Sequence, residues 1–210
     1  MTGRQLLALV GLIMVGAAVS YALQTIGPIG HYVGDMASAA QILDDKRSPQ
    51  VSAGTADVTL ILFSDYQCPA CRKADPAMQA AIAEDGNVRI VYKDWPVFGE
   101  RSERAAEVAL AAQNQGIYPQ VHHALMSSRG LHDAALRQAV ESSGGDWRQL
   151  EADLALHKLS IARHLARNGQ EALSLGLEGT PGYLIGPFVI RGALSEREFI
   201  RAFAQARAKR

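Results

Sequence analysis

Residues 58–72 read Val-Thr-Leu-Ile-Leu-Phe-Ser-Asp-Tyr-Gln-Cys-Pro-Ala-Cys-Arg. Val58 to Phe63 is a continuous apolar run rich in β-branched residues, the pattern of a strand buried on both faces near the middle of a sheet. Ser64 to Gln67 form a short loop, and Pro69 suits the first turn of a helix. That helix is expected to run to about Ala83, with Ala74, Met78, Ala81 and Ile82 on its apolar side. Pro76 lies inside it and is expected to kink it. Gly86-Asn87 is a turn, and Val88 to Tyr92 alternates as a second strand. A strand, a helix and a strand in this order form a crossover unit, so the two strands should run parallel.

Cys68 and Cys71 are the only cysteines, and they sit where the strand hands over to the helix. At a helix N-terminus the unpaired backbone N–H groups and the helix dipole favour negative charge. A thiol there has its pKa lowered, to roughly 3.5–7.5 in such motifs from about 8.5. The thiolate is the nucleophile of disulfide exchange. A spacing of two residues puts the second sulfur one turn on, within reach of the first. Cys68 is therefore the expected exposed attacker and Cys71 the buried resolving thiol. Two cysteines exclude a disulfide framework and a four-cysteine zinc site within one chain. A c-type haem site needs His after the second cysteine, and position 72 is Arg. A purely structural disulfide would close a very short loop and gain little entropy. Half of a shared metal site is a further alternative.

Beyond Val88–Tyr92 the pattern turns helical. Ser102 to Gln115 carries Ala105, Val108, Ala109 and Ala112 at helical spacing and closes on Gly116. Pro119 to Ser127 follows, then a segment capped by Asp133 and ending at Gly144-Gly145. Asp146 caps a fourth helix, with Leu150, Leu154, Ile161 and Leu165 in register to about Leu175. Gly169 inside it costs about 1 kcal/mol against Ala. Gly182–Ile185 and Phe188–Arg191 flank Gly186-Pro187 as a hairpin. Ser195 to Glu198 is a capping box, and Phe199, Phe203 and Ala206 share one face of a last helix. The expected fold is α/β: a β-α-β half, a helical insert at about 99–175, and a β-β-α half.

Gly179-Thr180-Pro181-Gly182 precedes the hairpin. With this second motif in view the chain resembles a thioredoxin-fold protein of the DsbA type. The likeness rests on residues 58–72, on Leu175 to Gly186, on Lys93-Asp-Trp-Pro-Val97 and on the helical insert, and it covers about residues 48–210. The resemblance implies that Cys68 is the nucleophile, that Cys71 resolves, and that Pro181 is a cis-proline after Thr180. A proline there exposes backbone to a bound peptide and brings no N–H of its own. The family's oxidants use no bound cofactor, because the two sulfurs carry the electrons. They act on protein thiols, and a quinone-linked membrane partner renews the disulfide. Pro69-Ala70 stands where the strong oxidant of the family has Pro-His. Alanine cannot hydrogen-bond the thiolate as histidine does. The family also includes isomerases and reductants kept reduced by a thiol-transfer partner, and Thr before the cis-proline occurs among those. Disulfide formation is the leading reading. The reductive activities are one rival, and a non-catalytic module holding a metal or a client is another.

The wider composition agrees. The chain has 210 residues, 48% hydrophobic, with 21 basic and 21 acidic side chains. That length holds one core-forming domain with accessories. The charge balance argues against a nucleic-acid partner. Leu6 to Leu23 carries no charge; at ~1.5 Å rise such a helix reaches roughly the hydrocarbon thickness. It reads as an uncleaved single-pass anchor, or as a signal peptide cleaved near Ala18-Val19-Ser20 or Ser20-Tyr21-Ala22. Arg4 precedes it, which keeps the N-terminus in the cytoplasm and exports the rest. Residues 1–26 are thus membrane anchor or signal, 27–56 a tether leading into the domain, with a helical patch at Ala37–Arg47, and 57–210 the thioredoxin-like domain. A bacterial-type inner or cell membrane follows, with the catalytic domain outside the cytoplasm, or a soluble periplasmic protein after cleavage.

Other side chains carry weaker signals. Asp65 could exchange a proton near the sulfurs or be a solvated loop acid. Lys93 could pair with Asp65 or Asp94, or be exposed. Tyr66 and Trp95 could line a peptide groove or simply pack. His122 and His123 are adjacent and point to different faces, and His157 and His164 are two turns apart, so neither pair reads as a metal site. The basic C-terminal stretch reads as a solvated helix face that anionic lipid could also touch.

Overall fold

A computed structural model describes residues 5, 9, 11–16, 27–52 and 55–209. The apolar run 6–23 falls largely outside them. Among the described residues no helix is long and apolar enough to cross a membrane.

The chain runs β1 (His31–Tyr32), α1 (Ala37–Leu43), β2 (Gln50–Ser52), β3 (Val58–Ser64), α2 (Pro69–Asp85), β4 (Val88–Asp94), α3 (Glu100–Ala112), α4 (Tyr118–Ser127), α5 (Asp133–Ser142), α6 (Trp147–Ser174), β5 (Gly182–Ile185), β6 (Phe188–Arg191) and α7 (Glu196–Arg207). Among the described residues the strands form one six-stranded sheet ordered β1-β6-β5-β3-β4-β2. β3 and β4 are parallel, with Leu60 opposite Ile90 and Ser64 opposite Asp94; β5 pairs antiparallel with β3 and with β6.

The apolar run of β3 has a direct cause. Val58, Leu60 and Leu62 enter the core shared with α2, α7 and the helical insert. Ile61 and Phe63 enter a second, smaller core with Val33, Ile42, Val91 and Ala172 on the other face. A strand covered on both faces needs no polar alternation.

Most predicted elements form where expected, with differences at their ends. β4 continues past Tyr92 to Asp94, because β3 pairs with it along its whole length. α2 runs unbroken from Pro69 to Asp85 through Pro76. It stops where Gly86 adopts φ 73°, a left-handed conformation that favours glycine. α3 starts at Glu100 and gives way to a 3₁₀ turn at Gln113–Gln115. Asp146 caps α6, accepting from Arg148 N at 2.8 Å and Gln149 N at 3.2 Å. Asp133 does not cap α5. His132 occupies the cap without a side-chain bond, and Asp133 is the first helical residue, where its charge still suits the dipole. The capping box of α7 is present as read. Residues 27–56, expected as a tether, hold helix α1 and supply strands at both edges of the sheet, β1 on β6 and β2 on β4.

Gly169 has a packing reason. A Cβ there would lie 3.2 Å from the Trp95 indole nitrogen and 3.3 Å from its Cδ1. The helix yields a side chain so that Trp95 can seat against it. Gly169→Ala should therefore fail to give the roughly 1 kcal/mol that alanine gains in an open helix. It should also shift the tryptophan emission. A stabilisation of the full amount with unchanged emission would contradict this packing.

Candidate functional site

The nucleophile position is built by the helix it starts. Cys68 is the N-cap of α2, in extended conformation, and its sulfur accepts from the Cys71 N–H at 3.3 Å. Pro69 follows as the first helical residue, where a missing N–H costs nothing. Both cysteines are present as free thiols. Across from them the Thr180–Pro181 peptide bond is cis. The Cys68 thiol donates to the Thr180 carbonyl at 3.2 Å. This loop packs onto Cys68 closely enough that Cys68, expected to be exposed, is only 2% exposed. Among the described residues the buried Thr180 hydroxyl has no hydrogen-bond partner.

The two thiols are driven apart. The Cys71 thiol beside it favours the Cys68 thiolate. Burial opposes this, but the N–H groups of Cys71 and Ala70 add to it, and Cys68 comes down to about 6. Cys71 goes far up, because the Cys68 sulfur competes for the proton and burial disfavours a second charge. One sulfur is thus a thiolate near neutral pH and the other a thiol. Alkylation of Cys68 in the reduced protein should accordingly rise as pH passes about 6 and level off above neutrality. A rate still climbing through about 8.5, as for a free cysteine, would contradict the site.

Asp65 turns out to be a clamp. Its carboxylate accepts from Gln67 N at 2.7 Å, Val97 N at 2.7 Å, Phe98 N at 3.1 Å and the Ser102 hydroxyl at 2.6 Å. Gln67 Nε2 donates to Phe98 O at 3.1 Å and to Ser102 Oγ at 2.9 Å. The loop after β4 is thereby tied to the residue before Cys68. Val97 and Phe98 stand exposed on that loop.

Lys93 pairs with neither Asp65 nor Asp94, and it is not exposed. It is fully buried, with Asp45 as one partner and Glu171 Oε2 at 2.6 Å as the other. Tyr66 lines no groove: it is buried, with its hydroxyl 2.9 Å from His122 Nδ1 and 3.4 Å from the Tyr118 hydroxyl. Tyr118 donates to Asp94, whose carboxyl burial raises to about 6. Trp95 packs on Gly169. His122 and His123 diverge in exposure, yet both approach Asp75, at 3.7 Å and 3.5 Å. His164 turns to Ser48 and Arg167. Among the described residues no three ligand-type side chains gather as a metal site.

Sequence reasoning missed Asp75, Ser102, Asp45 and Glu171. Only Asp75 carried a local signal, standing one helical turn beyond Cys71.

Comparison with known proteins agrees with this geometry. A thioredoxin-like oxidoreductase from Silicibacter pomeroyi DSS-3 superposes with a TM-score of 0.74 at 33% identity, covering 80% of this chain and 96% of its own. A periplasmic thioredoxin-like protein from Salmonella enterica serovar Typhimurium gives 0.68 at 27% identity, covering 81% and 96%. Na(+)/H(+) antiporter NhaA 3 of Salinispora tropica is 30% identical over 165 residues, which is 73% of this chain and 24% of the antiporter. The chain therefore spans about a quarter of the length of the curated relatives it matches. The model of the DSBA-like thioredoxin domain matches residues 59–204, and with a CxxC pair at its helix N-terminus the chain belongs to that family, as a thiol–disulfide oxidoreductase.

Proposed function

We propose that this oxidoreductase forms disulfides in client proteins outside the cytoplasm. The observation that carries the reading is the split between the sulfurs: Cys68 is held as a thiolate at the N-terminus of α2, and Cys71 stays protonated behind it. A thiolate stabilised in the dithiol form makes the disulfide a better oxidant.

A client thiolate attacks the Cys68 sulfur of the Cys68–Cys71 disulfide. Cys71 leaves, and a mixed disulfide joins the client to Cys68. The client's second thiol then attacks its own sulfur in that bond, and Cys68 departs as a thiolate. Thr180 and Pro181 offer the edge along which the client chain lies, since their loop covers Cys68. Asp65 positions the loop that bears Val97 and Phe98 beside it. Pro69 and Ala70 complete the turn between the sulfurs, and Ala70 adds no side-chain hydrogen bond. No bound cofactor enters. A membrane partner renews the disulfide, and Leu6 to Leu23 serves as anchor or export signal.

A second reading keeps the chemistry and reverses the flow. The Cys68 value near 6 lies between about 7 for thioredoxin and about 3.5 for a strong oxidant, which leaves room for an isomerase or reductant. The test offers the full chain, as its disulfide, to a reduced unfolded client with two cysteines. Stoichiometric appearance of client disulfide and enzyme dithiol is expected. If the oxidised chain leaves the client reduced while the reduced chain rearranges a mispaired client, the second reading replaces the first.

A further inference from the structure

Cys71 must gain a proton when it leaves the disulfide and give one up when it attacks, yet it is 3% exposed. We propose that Asp75 carries that proton between the Cys71 sulfur and the His123 imidazole at the surface. The inference rests on the exchange reading above and names a residue for its least accessible step.

Asp75 follows Cys71 by one turn of α2, so both point from the same helix face. Both line one small cavity beneath the helix, walled by Leu62, Met78, Met126 and Tyr183, with Ser64 at its edge. About 10 Å³ of it is open to the centre of a water molecule, roughly the room one water needs. Asp75 is the one carboxyl in that lining. Its Oδ1 and the His122 Nε2 are buried and 3.7 Å apart, and among the described residues neither has a closer hydrogen-bond partner. Its Oδ2 lies 3.5 Å from His123 Nδ1, on a side chain 63% exposed. The carboxylate thus stands between the cavity of the resolving sulfur and a solvent-facing imidazole.

The groups around Asp75 come from every neighbouring element: Gln79 on α2, His122 and His123 on α4, Tyr92 on β4 and Tyr183 on β5. Asp94 acts on His122 from the far side. Burial raises Asp75, but the imidazoles overcome it and hold the carboxyl below the ordinary range. Such a group passes a proton on without storing it. When the Cys68–Cys71 bond breaks, the Cys71 sulfur keeps the bonding pair and takes a proton that the Asp75 carboxylate accepts from His123 and passes on in the same movement. His123 regains one from water. When Cys71 attacks, the same path runs backwards. Electrons move only among the sulfurs.

The test mixes the reduced full chain with excess oxidised glutathione, followed by acid quench and mass spectrometry. In the first stage Cys68 forms the mixed disulfide; in the second Cys71 displaces glutathione. Asp75→Asn should slow the second stage by about 100-fold, the scale of a lost acid–base group, and leave the first unchanged. Formate should partly restore the second stage in Asp75→Ala. His123→Gln, at an exposed side chain, should flatten its pH profile, and this variant carries the test if the Asp75 variants fold poorly. An unchanged second stage in Asp75→Asn, equal slowing of both stages, or an unaltered profile in His123→Gln would overturn the inference. Absence of any mixed disulfide in the unsubstituted chain is a different result and would overturn the exchange reading itself.

Discussion

Cys68→Ser should abolish client oxidation, while Cys71→Ser should trap clients on the enzyme. The asymmetry follows from the site. The N–H groups of α2 and the Cys71 thiol support a charge on one sulfur only, and a serine hydroxyl at position 68 is no nucleophile toward disulfides at neutral pH. The Cys71→Ser variant keeps the stabilising N–H donor at 3.3 Å but loses the resolving thiol. When its Cys68 thiolate attacks a client disulfide, one client sulfur leaves as a thiol, and the mixed disulfide at Cys68, which Cys71 can no longer displace, accumulates. Non-reducing gels of cell extracts would show a ladder of adducts for Cys71→Ser and none for Cys68→Ser. Equal adduct formation by both variants would mean that the thiols are interchangeable, contrary to their opposite shifts.

The largest loss of stability is expected at Lys93. Its ammonium is fully buried between Asp45, 2% exposed, and Glu171. Burial raises Asp45, but Lys93, the Ser48 hydroxyl and the Arg47 N–H outweigh it and hold the carboxyl well below its usual range. Lys93→Met would leave two carboxylates facing an apolar group. Breaking a buried pair in this way costs about 3–5 kcal/mol. Arg167, 3.8 Å from Asp45, takes up part of the charge, so the low end applies. At about 2–4 °C per kcal/mol for a chain of this size, the midpoint should fall by roughly 6–12 °C. The pH dependence has a definite sign. A depressed carboxyl contributes stability above its unfolded value, near 4, and loses it as pH falls through the lower folded value. The gap between the unsubstituted protein and Lys93→Met should therefore narrow in acid. A gap that widens in acid would contradict this assignment.

The catalytic pair could be read from the sequence because every part of its argument is local. A strand, a loop and a proline-led helix fix the place of Cys68, and the next turn fixes Cys71. The central place of β3 was legible for the same reason: Val58–Phe63 is apolar throughout because it is covered on both faces. What could not be read depends on partners far along the chain. Lys93 finds Asp45 and Glu171, on segments that only the fold brings together. Tyr66 could be read as a groove or a packing residue, and α4 decides for packing by placing His122 and Tyr118 against its hydroxyl. Asp65 read as either a proton carrier or a solvated loop acid, and the fold instead brings it two donors from the loop after β4 and one from Ser102 of α3, beside the local Gln67 N–H. The short strands His31–Tyr32 and Gln50–Ser52 are too brief to show a period, so residues 27–56 read as a tether.

The central claim is that Cys68 and Cys71 form a couple that cycles between dithiol and disulfide with proteins. Its most direct test is the equilibrium reduction potential of the full chain against glutathione buffers. With Cys68 near 6, between the values for thioredoxin and for the strong oxidant, the potential should fall between about −270 and −120 mV. It should follow a two-electron titration. A pair that does not exchange, or that titrates below about −300 mV like a structural disulfide, would contradict the account.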